Sequence, residues 1–139
     1  VVSLSGLLGW PLSGYPSVRG EVDNLLEAIE VARTVIAAAS DKKAVDIALL
    51  DTREVCSFAD YFVICSGESN RQIEAIRDEV IQALKKDGVA PRHYEGTADS
   101  GWLLLDYYDV VVHIFAPLER QFYQLDKLWG EAATVVKIQ

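Results

Sequence analysis

Asp60-Tyr61-Phe62-Val63-Ile64-Cys65-Ser66-Gly67-Glu68-Ser69-Asn70-Arg71-Gln72 runs from an apolar strand through a polar turn into a helix. The strand, about Asp60–Ser66, makes Cys65 a buried core thiol. Ser69 and Gln72 have the spacing of a capping box, in which a hydroxyl accepts from the third helical N–H. Ile73, Ile76, Val80 and Leu84 then recur at helical spacing and mark the buried face. Lys85 and Lys86 suit the negative end of the helix dipole, and Gly88 supplies a C-terminal cap. A strand followed directly by an amphipathic helix sets the class as α/β.

Working outward, Asn24-Leu25-Leu26-Glu27 reads as an earlier helix start, with Asn24 as cap and Glu27 at the third helical position. Leu26, Ile29, Val31, Ala32 and Ile36 give that helix an apolar stripe to about Ala39. Val45, Ile47 and Leu49 alternate through a first strand, about Ala44–Asp51. Towards the C-terminus, Pro91–Glu95 suits a short edge strand. Trp102–Asp106 and Val110–Ala116 are strands joined by a tight turn at Tyr107-Tyr108-Asp109. Val110–Ala116 is almost continuously apolar, as a central strand covered on both faces must be. A last helical segment starts near Pro117 and carries Leu118, Phe122, Leu125 and Leu128. The expected fold is a single domain over 21–139: a mixed sheet of about five strands with flanking helices. The leader 1–20 mixes Gly, Pro and Ser with Leu7, Leu8 and Trp10, and reads as poorly ordered.

The 139 residues are half apolar and carry a formal net charge of −8. Such a balance opposes direct nucleic-acid readout, which needs Lys and Arg on phosphates. It suits a basic protein partner, or serves solubility alone. Two cysteines, Cys56 and Cys65, form no CxxC or Cys/His cluster, so no zinc site is expected. Unpaired thiols fit a reducing, cytoplasmic compartment. No apolar stretch approaches the roughly 18 residues of a membrane span.

Catalytic chemistry finds little support. Gly67-Glu68-Ser69 could hold an anion on free helix N–H groups and is similar to the Gly-Ser turn of nucleotidyltransferases. Metal-assisted phosphoryl transfer also needs a carboxylate pair, and no Asp-x-Asp follows on a strand; Asp78 and Glu79 fall within the helix. A turn with a capping box is the stronger reading. His113, inside an apolar strand, is more often a hydrogen-bonded core or interface group than a catalyst. Ser69 and Ser100 lack a nucleophile elbow. Asp106 and Asp109 could hold a metal, but solvated carboxylates beside a hairpin turn explain them better. No cofactor or metal is expected.

From His93 to Glu119 the chain has five carboxylates (Glu95, Asp99, Asp106, Asp109, Glu119) and no Lys or Arg. Trp102, Tyr107 and Tyr108 lie among them. Alternation puts Trp102, Leu104 and Asp106 on one face of their strand. An exposed indole ringed by acids would make an anchor for a basic partner. Spacing equally allows Trp102 in the core with the acids as a solvated rim. Trp102 is expected on the exposed face of its strand.

At this stretch the sequence resembles the ribosomal silencing factor (Iojap-type) family. The likeness starts with Ala59–Gly67 and Ser69-Asn70-Arg71-Gln72. It continues through Glu95-Gly96, Trp102-Leu103-Leu104-Leu105-Asp106-Tyr107 and Asp109-Val110-Val111-Val112-His113-Ile114-Phe115. Arg120-Gln121-Phe122-Tyr123 and Leu125-Asp126-Lys127-Leu128-Trp129 complete it, so it spans about Asn24–Ala133. Asp126 stands where the family often has Glu, and Tyr108 where a small residue is common. The resemblance implies a nucleotidyltransferase-like topology without the catalytic carboxylates, and no enzyme activity. It implies binding to the large ribosomal subunit through its fourteenth ribosomal protein, a block on joining with the small subunit, and a capacity to form homodimers. It marks Trp102 as the interface tryptophan and Glu95, Asp106, Tyr107 and Asp109 as the surrounding surface. His113 and Arg120 match recurrent positions of contact or support. A nucleotidyltransferase-like enzyme using Gly67 and Ser69, or a generic dimeric adaptor, are the competing functions.

Overall fold

The apolar run Tyr61–Ser66 is buried at every position, and the other strands assemble on either side of it. The structure, a computed structural model, describes residues 27–125 and 133–138. In chain order the elements are α1 (Ala28–Asp41), β1 (Val45–Asp51), β2 (Tyr61–Ser66), α2 (Asn70–Lys86), β3 (His93–Glu95), β4 (Trp102–Asp106), β5 (Val110–Phe115), α3 (Pro117–Tyr123) and β6 (Ala133–Ile138). The strands form one mixed six-stranded sheet in the order β3-β4-β5-β2-β1-β6. Only β2 and β5 are parallel, from Tyr61↔Val110 to Ser66↔Phe115. A parallel pair needs a long crossover, and α2 with β3 and β4 fills it. No helix among the described residues is long and apolar enough to cross a membrane.

Successive strand side chains point to opposite faces, and here both faces are packed. On one side Val63, Cys65, Leu103, Leu105, Val112 and Ile114 meet α1 and α2. α2 contributes Ile73, Ile76, Val80 and Leu84, as its spacing predicts. On the other side Phe62, Ile64, Trp102, Leu104, Val111 and Phe115 form a second layer, closed by Leu125 and Tyr123. Central β5 is buried throughout. The turn before it is tight: Tyr107 N–H donates to the Val110 carbonyl at 2.8 Å, with Tyr108 in the left-handed region at φ 69°.

Some expectations need correction. The Asn24 cap and Leu26 lie outside the described residues, as do the 1–20 leader and Leu128. Glu27 is the N-cap of α1 rather than its third residue and makes no side-chain cap bond; its carbonyl instead accepts from Glu30 and Val31 N–H. β1 buries Ile47, Ala48, Leu49 and Leu50 in succession, because it too is covered on both sides. The helix that starts at Pro117 is only seven residues long and buries none of them. Leu118 and Phe122 are 76% and 79% exposed. Leu125 is buried because the chain turns at Gln124, φ 49°, beyond the helix. The sixth strand, β6, was not expected; it pairs antiparallel with β1, Leu49 opposite Val136.

The decisive turn is held on three sides. Ser69 Oγ accepts from Gln72 N–H at 3.1 Å. Gln72 Oε1 accepts from Glu68 N–H at 2.7 Å, one residue earlier than a standard capping box. Gln72 Nε2 also donates to the carbonyls of Lys42 and Lys43 at 3.1 and 2.9 Å, joining the start of α2 to the end of α1. Gly67 lets the turn close: a Cβ there would lie 2.9 Å from Ile73 Cγ1 and 3.2 Å from Ile73 N. Ile73 is β-branched, within a helix and fully buried, so it cannot easily move aside. Gly67→Ala is therefore expected to lower the denaturant midpoint by an amount equivalent to about 1–3 kcal/mol, the cost of overpacking; an unchanged midpoint would show that the turn is loose.

Candidate partner-binding site

The candidate residues divide between the interior and the surface. Trp102, at the start of β4, sits opposite Phe115 of β5. It is fully buried, which corrects the expectation of an exposed indole. Its ring stacks on Phe115 with centroids 4.8 Å apart, and Tyr123 of α3 covers it at 4.6 Å. Strand parity put Trp102 and Leu104 on one face correctly, but periodicity does not reveal that a second layer closes over that face. His113 occupies the same layer. Trp102 Nε1–H donates to His113 Nδ1 at 3.1 Å, so the neutral ring carries its proton on Nε2, which is buried without a hydrogen-bond partner. Burial, aided by the nearby Arg120 charge, pushes the His113 pKa down to about 3. Such a ring is a neutral core group, not a general base near pH 7.

Asp106, at the other end of β4, is also buried, so it is not part of a solvated acidic rim. Arg92, just outside the cation-free stretch, donates to its carboxylate from Nε at 3.1 Å and Nη2 at 3.4 Å. Tyr108 N–H donates to Asp106 Oδ1 at 2.8 Å, and the Arg92 guanidinium lies 4.1 Å from the Tyr108 ring centroid. Burial raises the Asp106 pKa, opposed by these contacts. Tyr107 faces the α1/α2 layer with its hydroxyl unpartnered, and burial pushes its pKa up to about 12. Glu95 and Asp109 are half-buried. The Asp109 carbonyl accepts from Asp60 and Tyr61 N–H, tying the hairpin to β2. Arg120 of α3 donates from Nη1 to the Asp46 carbonyl at 2.8 Å and to Ser66 Oγ at 3.1 Å. It secures α3 to the bulged start of β1, where Asp46 has φ 50°. The structure thus brings Trp102 and His113 together, leaves Asp106 and Asp109 at the turn end of the hairpin, and puts Glu95 on β3 opposite Leu104.

The turn 67–69 is occupied by its own structure: Ser69 caps α2, and Gly67 N–H donates to the Phe115 carbonyl at 2.9 Å. Asp78 pairs with Arg77 and Glu79 with Lys42. Among the described residues, no three His, Cys, Asp or Glu side chains are grouped so as to hold a metal ion. Cys65 is buried, with its thiol pushed up to about 12 by burial; Cys56 is half-buried and shifted the same way. Sequence reasoning missed the exposed pair Leu118 and Phe122. Their four-residue spacing is legible in the sequence, but spacing alone does not tell an exposed pair from a buried one.

A family model described as "Ribosomal silencing factor during starvation" matches residues 26–139. The chain is 41% identical over 102 residues to "Ribosomal silencing factor RsfS" of Bacillus subtilis, covering 73% of this chain and 86% of that protein. It is 32% identical over 91 residues to "Mitochondrial assembly of ribosomal large subunit protein 1" of Mus musculus, covering 63% of this chain and 40% of that protein. A crystal structure of a Chromobacterium violaceum protein superposes with a TM-score of 0.73 at 35% identity, covering 80% of this chain and 94% of that one.

The buried histidine gives a pH signature. In the unfolded chain His113 takes up a proton near its ordinary pKa of 6.5, whereas in the folded protein it does so only near 3. Its contribution to stability is therefore present above about pH 6.5 and is lost as pH falls towards 3. A tenfold change in proton affinity corresponds to about 1.4 kcal/mol, so the loss is on the order of a few kcal/mol. Urea midpoints measured from pH 7 to 4 should fall more steeply for the wild type than for His113→Gln, which shares every other acid-sensitive group. Parallel curves would place His113 in a solvated setting.

Proposed function

The chain belongs to the ribosomal silencing factor family, and we propose that it binds the large ribosomal subunit through a basic ribosomal protein, the fourteenth of that subunit, and blocks joining with the small subunit. The family match along residues 26–139 carries this reading. The net charge of −8 supports a basic protein partner over direct contact with ribosomal RNA, because like charge opposes phosphate binding. The mode of action is steric: a protein seated on the joining face keeps the small subunit away, with no bond made or broken and no cofactor. The site of action is the cytoplasm, where subunits meet. In this reading Glu95 and Asp109, both half-buried, meet such a partner directly. Trp102, Asp106, Tyr107 and His113 shape the surface from beneath, being buried, and Arg120 positions α3. A nucleotidyl-transfer reading gains nothing from the turn 67–69, whose serine and glycine serve the cap and the close packing.

On a sucrose gradient the protein is expected to travel with purified large subunits. Added before small subunits, it should reduce the yield of joined ribosomes in proportion to occupancy. Protein left at the top of a low-salt gradient containing intact large subunits would refute the proposal.

A further inference from the structure

Burying Trp102 removes the expected anchor from the surface, while the same layer ends outside in two apolar side chains. Leu118 and Phe122, one helical turn apart on α3, are 76% and 79% exposed, whereas β2, β4 and β5 are buried throughout. Residues four apart on a helix lie side by side. Two large apolar groups exposed together are the kind of surface that marks an interaction site.

This pair has a firm foundation. Phe122 meets the Tyr123 ring edge-on at 5.0 Å, and Tyr123 in turn lies against Trp102. Arg120 fixes the helix to Asp46 and Ser66. A partner closing on Leu118 and Phe122 would therefore meet side chains carried by an already fixed helix, which lowers the entropy cost of binding. Charge selects the partner. The guanidinium of Arg120 is drawn inward by those bonds, and Glu119 packs over Gly101 beside the apolar pair. Asp46, at the point where α3 is anchored, is exposed, as is Glu68 next to Gly67. The overall charge of −8 acts in the same sense.

We propose that Leu118 and Phe122 are the apolar anchor with which this chain docks onto an apolar pocket in a basic protein surface of the large subunit. The inference rests on the function proposed above and names the contact that the buried Trp102 cannot make. Central aromatic anchors dominate interface energies and are ringed by polar groups that contribute little. Phe122 and Leu118 fill that role with Glu119 beside them.

The experiment compares wild type, Leu118→Ala, Phe122→Ala and Phe122→Leu, measuring each urea midpoint and each affinity for purified large subunits. The side chains are exposed, so midpoints should barely move. Phe122→Ala is expected to weaken binding by about tenfold or more, Leu118→Ala less, and Phe122→Leu should restore most of the loss. Wild type that binds large subunits no better than the alanine variants would overturn the anchor and leave the proposed function standing. Wild type that does not bind at all would overturn both. Sedimentation equilibrium of the same proteins covers the remaining occupant: a wild-type dimer that Phe122→Ala converts to monomer, with subunit binding intact, would assign the patch to a second copy and overturn the proposal.

Discussion

Strands β2, β4 and β5 bury side chains on both of their faces, but α1 and α2 cover only one. The rest of the architecture answers that constraint. An apolar face left open to water would cost about 25 cal/mol for each Å². The chain therefore folds its C-terminal part back, so that Tyr123 and Leu125 close the Trp102 layer. A buried indole of roughly 200 Å² contributes up to about 5 kcal/mol at that rate. An unpartnered Nε2–H on His113 costs about 1–3 kcal/mol. Burial wins, and the layer tolerates the unsatisfied His113 donor.

The same constraint turns polar residues into structure. Asp106 shares a strand with Trp102 and is buried with it, so it needs Arg92 and the Tyr108 N–H to hold a charge there. Removing one partner of a buried ion pair is far costlier than losing an exposed one. Arg120 has the matching role at the other end of the sheet, where it spans β1, β2 and α3. On the outside of α3, Leu118 and Phe122 stay exposed, and Glu95 and Asp109 are half-buried.

Much of this was legible in the sequence. The strand–turn–helix at 60–72, the four buried positions of α2, and the β4–β5 hairpin all follow from local spacing, because each element's pattern is satisfied by its own neighbours. What local spacing cannot show is how many layers cover a sheet. Alternation placed Trp102 and Leu104 on one face, yet that face is interior because distant residues, Tyr123 and Leu125, return to it. The same limit holds at Leu118 and Phe122: helical spacing identifies a pair on one face but not whether anything packs against it. β6 has a local signal in the β-branched cluster Thr134-Val135-Val136 with Ile138. Spacing reveals Gln72 as half of a local cap but not that its amide reaches Lys42 and Lys43, some 30 residues earlier in the chain.

That Trp102 lies inside the protein, bonded to His113 and closed over by α3, is the claim on which the site assignment turns. Hydrogen exchange of the Trp102 indole Nε1–H, followed by NMR and assigned with Trp102→Phe, tests it in the free protein. The account predicts protection comparable to that of the backbone amides of β5, since both open only with the sheet. Exchange at the rate of a solvent-exposed indole would contradict it and return Trp102 to the surface as the anchor itself.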